Sequence, residues 1–336
     1  MTTIITPEPG QSLIVQPAAA QLPAIVAAAG PAAAERFLEF FGANIRNPNT
    51  RRGYARQVGQ FLSWCEGRGI TQLQQIRPMT VAAYVEQQAQ SDLEPQTVMQ
   101  SLAAIRMLFD WLVIGQVVSV NPATSVRGPK HSYNKGKTPV LSAEDPRNLL
   151  DSIPITYKQK KGDIGEPHVV GLRDRALIAL MVFSFARVGA VTGMKVSDYY
   201  QNGKRWFVRL HEKGGKFHEL PVHHQAEEYL DAYLDAAGIR TEPKSPLFRT
   251  TRELTANALP ERDALGIIKR RAAAAGLPPT TCNHTFRATG ITNYLENGGT
   301  IENAKAIAAH SSTRTTQLYD RRSDQINLTE IERIRI

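Results

Sequence analysis

Apolar positions recur at helical spacing through the first third of the chain. In "NTRRGYARQVGQFLSWCEGRGI", Tyr54, Val58, Phe61, Leu62 and Cys65 fall three or four apart, which predicts one helix face turned toward a core. That run starts at a capping residue, Asn49 or Thr50, and stops at Gly67 or Gly69. "AERFLEFFGANI" groups Phe37, Leu38, Phe40 and Phe41 in one apolar band. "MTVAAYVEQQAQ" and "EPQTVMQSLAAIRMLFDWLVI" supply two more helices, the second with Pro95 suited to its first turn. No alternating pattern interrupts residues 33–126, so a small helical bundle is expected there. Residues 1–32 are rich in Ala and Pro and carry one charge, Glu8; a mobile leader is expected, with at most a short helix near "AAAGPAAAERFLEFF".

The pattern changes in the second half. Residues 127–140, "RGPKHSYNKGKTPV", hold four Lys/Arg, two Gly, two Pro and no acid, and read as a basic interdomain linker. A helix is expected after "LSAEDP", then a hydrophobic helix near "RDRALIALMVFSFARVGA". Next come two runs of period two. Trp206, Val208 and Leu210 alternate with Phe207, Arg209 and His211; Phe217, Glu219 and Pro221 alternate with His218, Leu220 and Val222. Gly214-Gly215 between them can supply the positive φ of a tight hairpin turn. From Ala226 onward the spacing is helical again. The fold class is mainly α with a small β-sheet: a helical domain, then a mixed α/β domain over residues 141–325. A partly amphipathic tail, residues 326–336, follows, with Ile326, Leu328, Ile331 and Ile334.

Charge narrows the possible partners. A formal net charge of +9 favours polyanions, nucleic acid first and an anionic membrane second. The longest apolar run, Ala176–Ala186, is too short for a bilayer, which needs roughly 20 residues. No basic segment precedes the N-terminal apolar patch, so no signal peptide is expected. Two cysteines, Cys65 and Cys282, build no disulfide framework and suit a reducing cytoplasm. No metal-ligand spacing is visible: His223 and His224, if on a strand, would point to opposite faces. Neither metal nor cofactor is expected. Nucleic acid becomes the expected partner; Arg46, Arg51, Arg52, Arg56 and Arg106 on polar helix faces of the first domain, with Lys130, Lys135 and Lys137 of the linker and Lys216, are its candidate phosphate contacts if the second half also handles DNA.

Four segments then occur in order: "FARVGAVTGMKVSDY", "EKGGKFHELPV", "HTFRATGITNYLENGG" and "AAHSSTRTTQLYDR". Together they resemble the catalytic domain of the tyrosine recombinases, the phage-integrase family. The helical domain ahead of them resembles that family's SAM-like core-binding domain. Metal-free attack on a phosphodiester needs a nucleophile, fixed cations for the non-bridging oxygens and a proton for the leaving oxygen. Arg suits the cation role because its planar fork can hold two phosphate oxygens.

The resemblance implies a role for each matching residue. Arg187 and Arg287 would clamp the scissile phosphate. His284, three positions before Arg287 on one helix face, would help manage the proton of the attacking group. Lys213 would protonate the leaving 5′ oxygen, with Lys216 across the same turn as its rival. His310 would donate a hydrogen bond to the phosphate, and Tyr319 would attack phosphorus to form a 3′-phosphotyrosine. An exchange of strands without ATP would follow, on a tetramer assembled at synapsed DNA, with the tail packed on a neighbouring protomer and the enzyme in the cytoplasm with the nucleoid. The chain departs from the family pattern at Ala190, where an acid usually stands three positions after the first Arg, and at Ala309, where Gly usually stands. The second change is expected to be a mild packing difference. Two alternatives stay open: a DNA-binding regulator of this fold with weakened catalysis, and a type IB-like topoisomerase, which would relax supercoiled DNA lacking any specific site.

Overall fold

The computed structural model describes residues 22–130, 138–157, 165–212, 216–250 and 257–320. The chain divides into two compact units, Met1–Ser132 and Tyr133–Ile336. Residues 1–21, residues 131–137 of the expected linker and the C-terminal tail lie outside the described residues.

The first unit is helical: α1 (Ala24–Ala27), α2 (Pro31–Glu39), α3 (Pro48–Glu66), α4 (Pro78–Ala89) and α5 (Pro95–Ile114), with a π-helical turn at Phe40–Asn44. The α3 helix begins earlier than the spacing suggests. Asn47 is its cap, its side-chain oxygen accepting from the N–H groups of Asn49 and Thr50, and Pro48 opens the first turn. Val58, Phe61, Leu62 and Cys65 of α3 share a core with Val98, Leu102, Ile105 and Phe109 of α5. Phe37 and Phe40 also enter that core, while Leu38, one residue round the helix from Phe37, is left exposed.

The expected mobile leader needs correction over residues 22–32. Ile25 and Val26 are each 1% exposed and join the bundle core, and the Ile25 N–H donates to Glu66 Oε1 at 3.0 Å. Two adjacent large apolar side chains and one satisfied N–H are enough to dock a segment whose composition looks like linker. Among the described residues, α5 is the one helix long and apolar enough to cross a membrane by length and composition. Eight of its residues are buried in the bundle, and Arg106 and Asp110 lie within it, so its apolarity is that of a core helix.

The second unit runs α6 (Glu144–Ser152), β1 (Thr156–Tyr157), β2 (Glu166–Pro167), α7 (Val169–Ser184), α8 (Val188–Thr192), β3 (Tyr199–Asn202), β4 (Arg205–Glu212), β5 (Lys216–Pro221), α9 (His224–Ala237), α10 (Glu261–Ala274), α11 (Asn283–Glu296), α12 (Ile301–Ile307) and α13 (Thr313–Gln317). The α7 helix is apolar on nearly every side because α6, α9, α10 and α11 surround it. Its one buried acid, Asp174, accepts from both Arg173 and Arg271, tying α7 to α10. The expected hairpin is present in an antiparallel sheet of order β3-β4-β5, with Val208 opposite Leu220. The strand β3 and the β1–β2 ribbon are too short to show an alternation in sequence. His223 and His224 stand at the start of a helix, not on a strand: His223 caps α9 and stacks on Phe183 with ring centroids 4.0 Å apart.

Helix α11 can lie close against α7 because residue 290 has no side chain. A Cβ there would stand 2.4 Å from the Val182 carbonyl oxygen and 2.7 Å from a Phe185 ring carbon. This approach sets the position of Arg287 one turn earlier on α11.

Candidate active site

The chain leaves α7 through Phe185, whose φ of +53° is left-handed without being glycine, a strain of about 1–2 kcal/mol. The kink releases Arg187 in extended backbone at the cap position of α8. It also turns the Phe185 carbonyl toward α11, where Arg287 Nη1 donates to it. Arg287 Nη2 donates to the Ala308 carbonyl at 2.5 Å. One buried guanidinium, 2% exposed, thus joins the end of α7 to the end of α12. Burial, and next the charge of Arg187, lower its pKa to about 10, so it remains a cation at neutral pH. Glu212 and Tyr319 act on it in the opposite sense.

Helix α12 begins at Thr300, which caps it by accepting from the Asn303 N–H. After α12 the backbone passes through Ala309 at φ +48° and delivers His310 to the interior. A left-handed residue here explains why glycine would suit the position. The expected mild packing difference is therefore corrected to a backbone strain of about 1 kcal/mol or more. His310 Nδ1 lies 2.9 Å from the buried Thr316 hydroxyl on α13. Burial first, then Arg287 and Arg187, push its pKa down to about 3, so the ring is neutral. Ser312 caps α13 by accepting from the Arg314 N–H, and the chain then reaches Tyr319. The Tyr319 ring lies nearly parallel to the His310 ring, 8° between planes and 6.0 Å between centroids. Its carbonyl accepts from Thr292 Oγ1 on α11 at 2.9 Å. His284 stays open to solvent at its edge, and partial desolvation, Arg287 and Arg187 lower its pKa in that order.

Five of the six predicted site residues therefore come from the cap of α8, from α11 and from the turns after α12 and α13 to one end of the second unit. The sixth, Lys213, lies outside the described residues, as do Lys135 and Lys137; Lys216 has its backbone in β5 and no described side chain. The strand β5 is held against α12 by His218, whose Nε2 lies 3.0 Å from the Ile307 carbonyl oxygen. The sequence reading passed over one residue at the site. Glu212, the last residue of β4, is almost fully buried and forms an ion pair with Arg187 Nη1. A charged residue in an alternating strand reads as solvated, so nothing local marks it.

The arginines expected to meet DNA from the first unit divide. Arg46, Arg52, Arg56 and Lys130 are exposed. Arg51 donates from Nη2 to the Ile45 carbonyl at 2.9 Å, and Arg106 donates to the carbonyls of Ala123 and Val126. These two close off backbone carbonyls of their own unit.

The same organisation recurs in known proteins. A model described as the phage integrase family matches residues 163–325, and one described as the phage integrase N-terminal SAM-like domain matches residues 34–115. Tyrosine recombinase XerC of Salmonella typhi is 26% identical over 288 residues, 84% of this chain and 89% of that protein. XerC of Actinobacillus succinogenes is 28% identical, with 85% and 91% covered. In fold, the chain resembles the XerH site-specific recombinase in a post-cleavage complex with a palindromic difH substrate, at TM-score 0.66 and 19% identity over 84% of this chain and 79% of that one. It also resembles a lambda integrase dimer bound to a COC′ core site, at TM-score 0.63 and 17% identity over 87% and 77%. With a SAM-like helical region followed by the catalytic region, this chain belongs to the phage integrase family, the tyrosine recombinases.

Proposed function

We propose that the chain cleaves and rejoins specific double-stranded DNA sites through a covalent bond at Tyr319. The Tyr319 oxygen attacks phosphorus, a phosphotyrosyl bond forms to the 3′ side, and the bond to the 5′ oxygen breaks. His284, neutral through its lowered pKa, accepts the phenol proton. Arg187 and Arg287 hold the non-bridging oxygens, where negative charge grows in the transition state. We assign the Thr316 hydroxyl as hydrogen-bond donor to His310 Nδ1, 2.9 Å away, which places the imidazole N–H on Nε2, facing a phosphate oxygen. Lys213 supplies the proton to the departing 5′ oxygen. Attack by a different 5′-hydroxyl reverses these steps and joins new partners without ATP, because the phosphotyrosyl bond conserves the energy of the diester.

The single observation that carries this reading is the convergence of Arg287, His310 and Tyr319 from segments far apart in the chain: Arg287 bridges the carbonyls of Phe185 and Ala308, and the His310 and Tyr319 rings face each other. The lambda integrase tetramer on a Holliday junction, similar in fold, supports a tetramer on synapsed DNA here as well. Such an enzyme works in the compartment that holds the DNA, the cytoplasm with its nucleoid. Exposed Arg52, Arg56 and Lys130 remain the candidates for phosphate contact outside the active site. The test is Tyr319→Phe on a nicked suicide substrate. Covalent protein–DNA adducts should vanish while binding stays within a few-fold of wild type; adducts that persist remove Tyr319 as the nucleophile.

A further inference from the structure

The family's usual acid three residues after Arg187 is missing, and the residue there, Ala190, is 5% exposed in the apolar core. Nothing at that position can orient the arginine. A carboxylate reaches it from another element. Glu212 ends β4 with its side chain 2% exposed, and its Oε2 pairs with Arg187 Nη1, whose own side chain is 34% exposed toward the site. Among the described residues no other carboxylate pairs with Arg187. Glu261 in the first turn of α10 comes close to Gly189 and still makes no ion pair with it.

We infer that Glu212 is the positioning carboxylate of Arg187, moved from the helix after the arginine to the end of the hairpin strand. The inference rests on the phosphate-clamp reading of Arg187 given above. A guanidinium has five N–H donors in a fixed fork. Held through Nη1 by a buried carboxylate, it loses its rotational freedom and keeps its remaining donors for an incoming phosphate. Two arginines near one point repel each other, as the effect of Arg187 on Arg287 records; Glu212 counters that repulsion at Arg287 and pairs directly with Arg187. Its place in the chain adds a second effect. Glu212 immediately precedes Lys213 in sequence, so the end of β4 next to the proposed general acid is fastened to the arginine proposed to bind the same phosphate.

The experiment measures single-turnover adduct formation on a suicide substrate at saturating DNA, with affinity measured separately. Glu212→Gln keeps shape and removes charge. It should slow adduct formation roughly 10–100-fold, the usual loss when a supporting partner of a functional group is removed, with DNA affinity nearly unchanged. Glu212→Asp should recover part of the rate. The decisive readout is coupling: in an Arg187→Lys background, Glu212→Gln should cost much less than in wild type, because both changes remove one interaction. A purely structural carboxylate would cost the same in both backgrounds, and that result overturns the inference, as does a Glu212→Gln rate within about twofold of wild type. If Glu212→Gln fails to fold, the Glu212→Asp comparison in the two backgrounds decides by the same criterion. Failure of the wild-type protein to form any adduct would instead sink the recombination chemistry itself, a distinguishable outcome.

Discussion

Arg106 and Arg287 are the same side chain in the same local role, and they differ in what surrounds them. Each is set in a helix, and each donates from its guanidinium to two backbone carbonyls of distant segments: Ala123 and Val126 for Arg106, Phe185 and Ala308 for Arg287. The groups that Arg106 meets are backbone carbonyls of the segment after α5. Arg287 has a second arginine, a neutral histidine and a tyrosine within electrostatic reach. A guanidinium that satisfies carbonyls is a fastener; it becomes a candidate reactive-site cation only where titratable groups converge on it. Clusters of Arg in a sequence do not distinguish these two situations.

The comparison can be broken most sharply by deleting each arginine. Arg287→Ala should cut adduct formation by about 10²–10³-fold in single-turnover assays, as loss of one transition-state donor does, with a modest loss of DNA affinity. Arg106→Ala should leave the cleavage rate per folded molecule unchanged. It should instead lower unfolding free energy by about 1–3 kcal/mol in denaturant titration, because two carbonyls lose a donor. A cleavage loss of similar size from both variants would erase the distinction.

A smaller effect separates the regions by pH. The folded pKa of His310, about 3, lies below its ordinary value near 6.5, so between those limits the unfolded chain binds more protons than the folded one. Stability from keeping this ring neutral is complete above about pH 6.5 and is lost as pH falls toward 3, at no more than about 1.4 kcal/mol per pH unit. Thermal melts across that window should show the second unit weakening, and His310→Gln should flatten the dependence. His284 pulls in the same direction. The smallest expected effect is Ala309→Gly. Relief of the left-handed strain should raise the melting temperature by the equivalent of up to about 1 kcal/mol, offset in part by the greater freedom of glycine when unfolded. A lowered melting temperature would mean that the alanine methyl contributes packing that outweighs the strain.

What could be read from sequence depended on whether the signal was local. The spacing of Val58, Phe61 and Leu62, Pro95 at a helix start and the alternation on either side of Gly214-Gly215 all report on neighbours a few residues away, and those elements are present. The candidate site residues could be proposed from sequence because reaction chemistry restricts residue types and the motifs keep their order. Other features depend on distant partners. Glu212 is buried by an arginine 25 positions earlier, Ile25 by a helix 41 positions later, and Ala309 shows its meaning only in a backbone angle.

One feature of the second unit separates its two mechanical roles. Phe185, Ile291, Leu295, Ala304 and Ala308 form a small apolar cluster of their own, and Tyr319 packs at its margin. The large core around α7 and α9 is distinct from it. Cooperative opening of a minor cluster costs less than melting the whole. Tyr319 therefore sits on the softer of two foundations, which it shares with the ends of α7 and α12 that Arg287 fastens, and that foundation can yield while the large core around α7 and α9 stays closed.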